Sequence, residues 1–220
     1  HETAFEVEEA FRATGQRPLQ RLDALGLLKP GFMGVHMTAL NDDEITLCAR
    51  RGVSVVHCPE SNMKLASGQC RVDDLLAQGV NIALGTDGAA SNNDLDMFGE
   101  MRSAAMLAKL THQRATAFSA EQALRAATLG GARALALDET IGSLEPGKSA
   151  DMIAVSLRQP NTWPVHHVVS QLVYACGREQ VTDVWVAGQR VVEHRNVRTL
   201  DAEQIMNRAA HWAQRMQEPA

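Results

Sequence analysis

The first half of the chain carries three continuous apolar runs: "FMGVHM" at 32–37, "VSVVH" at 53–57 and "VNIALG" at 80–85. None alternates between apolar and polar positions. Continuous runs of this length read as strands of a parallel sheet covered on both faces. The segments between them have helical periodicity. "NDDEITLCARRG" (41–52) opens with Asn41 as an N-cap, has acids in its first turn and closes on Gly52. "VDDLLAQG" (72–79), "LDMFGEMRSAAMLAKL" (95–110) and "SAEQALRAATLGGARAL" (119–135) read as helices, the last capped by Ser119. A helical pattern also runs from the start, with Phe5, Val7, Ala10 and Phe11 among glutamates. Because the opening residues enter structure at once and lack Met, residue 1 is expected to lie inside a longer polypeptide. Strand–helix alternation predicts a parallel α/β sheet, either open and doubly wound or closed into a barrel.

The pattern changes after Leu137. Segments 141–157, 169–176 ("VSQLVYAC") and 181–197 read as short strands separated by glycine-rich turns, with a hairpin at Ala187-Gly188. A helix is expected at 201–216. The shift places a boundary near residue 140, giving an α/β domain at 1–140 and an antiparallel β unit with a terminal helix at 141–220.

Composition narrows the picture. The 220 residues are 45% hydrophobic, enough for one large core. A net charge of −5 offers no basic surface, which argues against nucleic-acid binding. No apolar run reaches bilayer length, so no membrane partner is expected, and no signal-peptide pattern is read. The four cysteines (Cys48, Cys58, Cys70, Cys176) are scattered, with no C-x-x-C pair. That fits a reducing cytoplasm better than a disulfide framework. Methionines at Met97, Met101 and Met106 have helical spacing and read as core filling.

Each of the three apolar runs ends in, or just before, a residue of catalytic type: His36, His57 and Asp87. Active sites sit at the carboxyl ends of parallel strands in both open sheets and barrels. Asp87 therefore reads as a site residue, followed by a loop of small and amide residues, Gly88 to Asn93, that lets a ligand approach the backbone. Alone it could equally be a cap. Its coincidence with His36 and with Glu2 at the chain start favours chemistry. His57 reads as packing or pocket lining. Glu60, Ser61, Asn62 and Lys64 are expected to brace their own loop, with Lys64 a weaker candidate for an acidic substrate group. His112, His166, His167, His194 and His211 lack such a context and read as surface or packing residues. The H-x-E plus P-C-x-x-C signature of cytidine-deaminase-like zinc sites is absent, because "HCPE" has no partner motif.

Taken together, "HET", "VHM", "HCPESNMKLASG", "LGTDGAASNNDLDMF" and "GSLEPGKSADMI" resemble the amidohydrolase superfamily. Within it they are similar to the 5-methylthioadenosine/S-adenosylhomocysteine deaminase branch, close to the chlorohydrolase-like enzymes. The resemblance covers residues 1 to about 200. It implies the C-terminal half of a (β/α)8 TIM-type barrel, from the end of strand five to strand eight, followed by part of a small β-sandwich. It also implies one divalent metal, usually zinc. By the same resemblance Asp87 is the metal aspartate of strand eight, His36 the strand-six histidine facing the metal's water, and Glu2 the strand-five glutamate that handles the substrate ring. His1 matches a histidine that is not a ligand. The remaining ligands are expected upstream of this chain, one two residues before His1 and a His-x-His pair on strand one.

The chemistry has its own physical logic. Zinc lowers the pKa of bound water from about 15.7 to about 7. Asp87 can take a proton from the nucleophile, Glu2 can protonate a ring nitrogen, and His36 can be the donor that orients the nucleophile or stabilises the tetrahedral state. Glu2 would need burial to act as an acid at neutral pH. Asp87 and Glu2 would also bind the ring from opposite sides. The expected reaction is hydrolytic deamination of an adenine nucleoside, 5′-methylthioadenosine or S-adenosylhomocysteine, in a homo-oligomeric enzyme. Two alternatives stay open: another amidohydrolase, such as a guanine deaminase or triazine chlorohydrolase, or an inactive half-barrel serving as an interaction unit.

Overall fold

A computed structural model describes residues 1–217. The chain separates into two compact units, residues 1–148 with 157–178, and residues 149–156 with 179–220. The compositional boundary near 140 thus falls short of Ser149, and the segment 157–178 belongs with the first unit.

In the first unit, α1 (Ala4–Thr14) and α2 (Pro18–Ala24) precede β1 (Met33–Val35). Then come α3 (Asp42–Arg51), β2 (Ser54–His57), α4 (Pro59–Lys64), α5 (Val72–Ala77) and β3 (Asn81–Leu84). The three strands form a parallel sheet in the order β1-β2-β3, with Gly34 opposite Val55 and Val55 opposite Ile82. The second and third apolar runs are buried as their lack of alternation predicts, with Val53, Val55, Ile82 and Ala83 each at most 3% exposed, whereas β1 exposes Met33 and Val35 on either side of buried Gly34. Helix α3 has the expected ends. Asn41 and Glu44 make a reciprocal capping box, and Gly52 closes the helix in the left-handed conformation.

Helix α6 (Met97–His112) turns Met101, Ala104, Ala105 and Ala108 into the core, whereas Met106 is exposed. The expected single helix 119–135 is broken into α7 (Ala120–Arg125), a π turn (Ala126–Gly130) and α8 (Gly131–Ala134). The turn lies against β3, where Asn81 Nδ2 donates to the Gly130 carbonyl at 3.0 Å.

Residues 169–176, expected as a strand, are instead covered mainly by helix α9 (Val168–Tyr174). Its valines favour a strand by propensity, but that preference yields to context. The His167 side chain caps the helix by accepting from Ser170 N, and Val173 is fully buried.

The second unit is an antiparallel sheet of β4 (Met152–Val155), β5 (Val181–Val186), β6 (Gln189–Glu193) and β7 (Asn196–Val197), in that order. Ala187 and Gly188 have φ of 49° and 79°. Positive φ at both central residues is what a type I′ two-residue hairpin requires. Helix α10 (Ala202–Gln217) follows. Among the described residues, no helix is long and apolar enough to cross a membrane.

Candidate functional site

The three residues singled out at strand ends do not share one fate. His36 follows β1 directly, and its N–H donates to the Val56 carbonyl at 2.9 Å, continuing the sheet one step past the strand. Asp87 lies three residues beyond β3. Both adopt left-handed backbone, with φ of 67° and 62°. Non-glycine residues in that region concentrate at functional sites, because the surrounding structure must hold them there. His57 ends β2 but is 2% exposed. Burial, with His36 nearby, depresses its pKa to about 3, so the ring is neutral. It is a packing residue, and its Nδ1 has no partner among the described residues.

Glu2 reaches the same place from the chain start. The Glu2 carbonyl accepts from Thr38 Oγ1 at 2.5 Å, and the His1 carbonyl accepts from Thr38 N at 3.1 Å. The same hydroxyl lies 3.1 Å from the Ser67 carbonyl, which shares its one hydrogen as the longer arm of a bifurcated contact. Gly68 makes this possible: its φ is +126°, and a Cβ there would come within 2.7 Å of Thr38 Oγ1. This accounts for the last two residues of "SNMKLASG". The His1 ring points away from the site to Glu44 Oε1 at 2.8 Å, and Arg17 Nη2 meets the other Glu44 oxygen at 2.7 Å. Glu44 is 1% exposed, so the segment bearing Glu2 is anchored by a buried charged network.

The side chains then converge. His36 Nε2 lies 3.8 Å from Asp87 Oδ2 and 4.0 Å from Glu2 Oε2. The Glu2 and Asp87 side chains are 36% and 35% exposed, so the cluster opens to solvent, and Glu2 is less buried than expected. Asp87 Oδ2 accepts from Ser91 Oγ at 2.7 Å and Ser61 Oγ at 2.8 Å, and Oδ1 accepts from Gly88 N at 2.7 Å. These donors hold its pKa below the usual carboxylate range.

Residues around this cluster do more than brace their own loop. Ser61 and Asn62, both buried on α4, bond Asp87 and His36 respectively. Lys64 Nζ donates to the Ala90 carbonyl at 2.9 Å and to Asn93 Oδ1 at 2.6 Å, so it pins the loop after Asp87 rather than facing the cluster. Asn92 Nδ2 donates to Glu100, a fully buried carboxyl raised by burial to about 7, which also accepts from Glu60 N at 3.3 Å. Glu100 was not legible as a site residue: on α6 it reads as one more first-turn acid. The loop beyond Asp87 is therefore anchored at Ser91, Asn92 and Asn93, while the space beside Gly88 is open. Of the remaining histidines, His166, His167, His194 and His211 are exposed, and His112 is half-buried.

Among the described residues, no group of three or more His, Cys, Asp or Glu side chains is arranged to hold a metal ion. The Asp87 carboxylate, open to solvent at the strand ends, is nevertheless a donor type that zinc accepts, and it fits as one ligand of a zinc site with His36 Nε2 3.8 Å away, beside that position.

The parallel α/β unit gathers two carboxylates and an imidazole at the carboxyl ends of its strands, where parallel α/β folds carry their active sites. The chain belongs to the amidohydrolase family, which it matches over residues 1–191. It is 49% identical over 216 residues to a 5-methylthioadenosine/S-adenosylhomocysteine deaminase of Teredinibacter turnerae, covering 98% of this chain and 49% of that protein. A protein of the same name from Syntrophobacter fumaroxidans is 46% identical over 212 residues, 96% of this chain and 48% of that one. The crystal structure of an adenosine deaminase from Xanthomonas campestris with bound zinc matches with a TM-score of 0.97 and 55% identity, over 99% of this chain and 49% of that one. A zinc complex of an atrazine chlorohydrolase from Arthrobacter aurescens matches with a TM-score of 0.85 and 26% identity, over 96% and 47%. The chain spans about half the length of the curated relatives it matches.

Proposed function

We propose that this chain is the C-terminal part of a zinc-dependent deaminase that hydrolyses the adenine ring of 5′-methylthioadenosine or S-adenosylhomocysteine. Its parallel strands β1, β2 and β3 are then strands six to eight of a (β/α)8 barrel, and its antiparallel sheet is part of the accompanying β-sandwich. The observation that carries the reading is the approach of both Glu2 and Asp87 to within 4.0 Å of His36 Nε2 at the strand ends. The names of relatives at 46% and 49% identity support the substrate class.

Asp87 is the zinc ligand this chain supplies, the others coming from the part of the relatives' length that these residues do not span. A bound zinc supplies a nucleophile at neutral pH by lowering the pKa of water to about 7. His36 orients the attacking water, whose oxygen bonds to C6 while its proton passes to Asp87. Glu2 gives a proton to the adjacent ring nitrogen as C6 becomes tetrahedral. The C6–N6 bond then breaks as Asp87 passes its proton to the departing amino group, the C6 hydroxyl returns a proton to Glu2, and ammonia leaves a hypoxanthine ring.

A substrate panel tests this. In the full-length protein, loss of adenine absorbance is expected with methylthioadenosine and S-adenosylhomocysteine. Turnover of guanine or a chlorotriazine, with none of the adenine nucleosides, would assign the site to another amidohydrolase reaction.

A further inference from the structure

We propose that Asn62 is a positioning residue that fixes the tautomer of His36. His36 Nδ1 lies 2.8 Å from Asn62 Oδ1. An amide oxygen only accepts, so Nδ1 must carry the hydrogen. In the neutral ring Nε2 then presents a lone pair, and Nε2 is the atom that faces Glu2 and Asp87. His36 thus meets the nucleophile as a hydrogen-bond acceptor, not as the donor expected from the sequence.

Asn62 is built for this task. It is 2% exposed. Its backbone is tied on both sides, with Asn62 N donating to the Cys58 carbonyl and Ser67 N donating to the Asn62 carbonyl, each at 3.0 Å. The preceding residue, Ser61, holds Asp87 from the same turn of α4. One rigid turn therefore sets the imidazole and the carboxylate relative to each other. The Asn62 Nδ2 is buried without a partner among the described residues. An unsatisfied donor is a cost that packing alone would remove by using leucine. The amide is retained here with a bond from its oxygen to His36.

The test uses the full-length, zinc-loaded protein. The ¹⁵N shifts of the His36 ring, recorded where the ring is neutral, are expected to show the hydrogen on Nδ1. The Asn62→Leu variant should lose that signature. It should lower kcat about 10–100-fold, the usual effect of losing such an outer partner, with KM nearly unchanged. Asn62→Asp keeps an acceptor and should restore most of kcat. A hydrogen on Nε2 in the unaltered protein overturns the proposal, and so does an Asn62→Asp variant no better than Asn62→Leu. The kinetic arm rests on the deaminase reading and the spectroscopic arm does not. A protein that shows the Nδ1–H tautomer but deaminates none of the substrates would sink that reading and leave the role of Asn62 standing.

Discussion

Asp87→Ala is expected to cost zinc and turnover together. In the proposed reaction the carboxylate is the zinc ligand this chain offers and also the group that receives the proton from water. General acid–base catalysis alone is worth roughly 10²–10⁴-fold, and loss of the ion comes on top of that. Activity should therefore fall by more than this range in the full-length protein. Zinc per chain after dialysis, measured by atomic emission, should drop well below that of the unaltered enzyme. Ser61, fully buried, loses its acceptor in this variant, so far-ultraviolet circular dichroism must accompany the assay. Asp87→Asn keeps the shape of the side chain and serves as the folded control. Full zinc occupancy in a folded Asp87→Asn protein would remove Asp87 from the ligand set.

Glu2→Gln should separate the two roles. The amide oxygen can still accept from Ser67 Oγ, which lies 3.1 Å from Glu2 Oε1, so the side chain keeps its place. It cannot deliver a proton as the carboxylic acid does. Zinc content is expected to stay unchanged while kcat falls roughly 10²–10⁴-fold. Equal zinc loss in the Glu2 and Asp87 variants would show that the division between acid and ligand is wrong.

Much of this architecture can be read from the chain because local and tertiary preferences agree. The runs at 53–57 and 80–85 are apolar on both faces, and the sheet buries both faces. Asn41 and Gly52 punctuate α3 with chemistry that works within four residues. Where the two levels part, reading fails. The valines of α9 suggest a strand, but the His167 cap and a buried face at Val173 make a helix. Helices α2 and α4 are six or seven residues long, too short for a periodic pattern, and a proline at the first position is their only local signal. The site divides in the same way. His36 and Asp87 are visible because strand ends are informative positions, and Glu2 is visible through the family resemblance of "HET". Ser61, Ser91, Asn62 and Glu100 matter through partners 4 to 26 residues away in sequence. No spacing rule announces those pairs.

The left-handed backbone at His36 has a consequence for how such a protein changes over generations. Glycine adopts that conformation with no steric cost, and asparagine and aspartate tolerate it. Asp87 is therefore at home there, and its carboxylate also satisfies the buried Ser61 hydroxyl. An imidazole held there costs about 1 kcal/mol at the low end. A library sorted only for heat resistance should therefore keep Asp87 and drift toward glycine or asparagine at the His36 codon. The drift would yield sturdier proteins that have discarded the imidazole. Stability and chemistry are selected in opposite directions at that one position, and only a screen that scores turnover would keep its side chain.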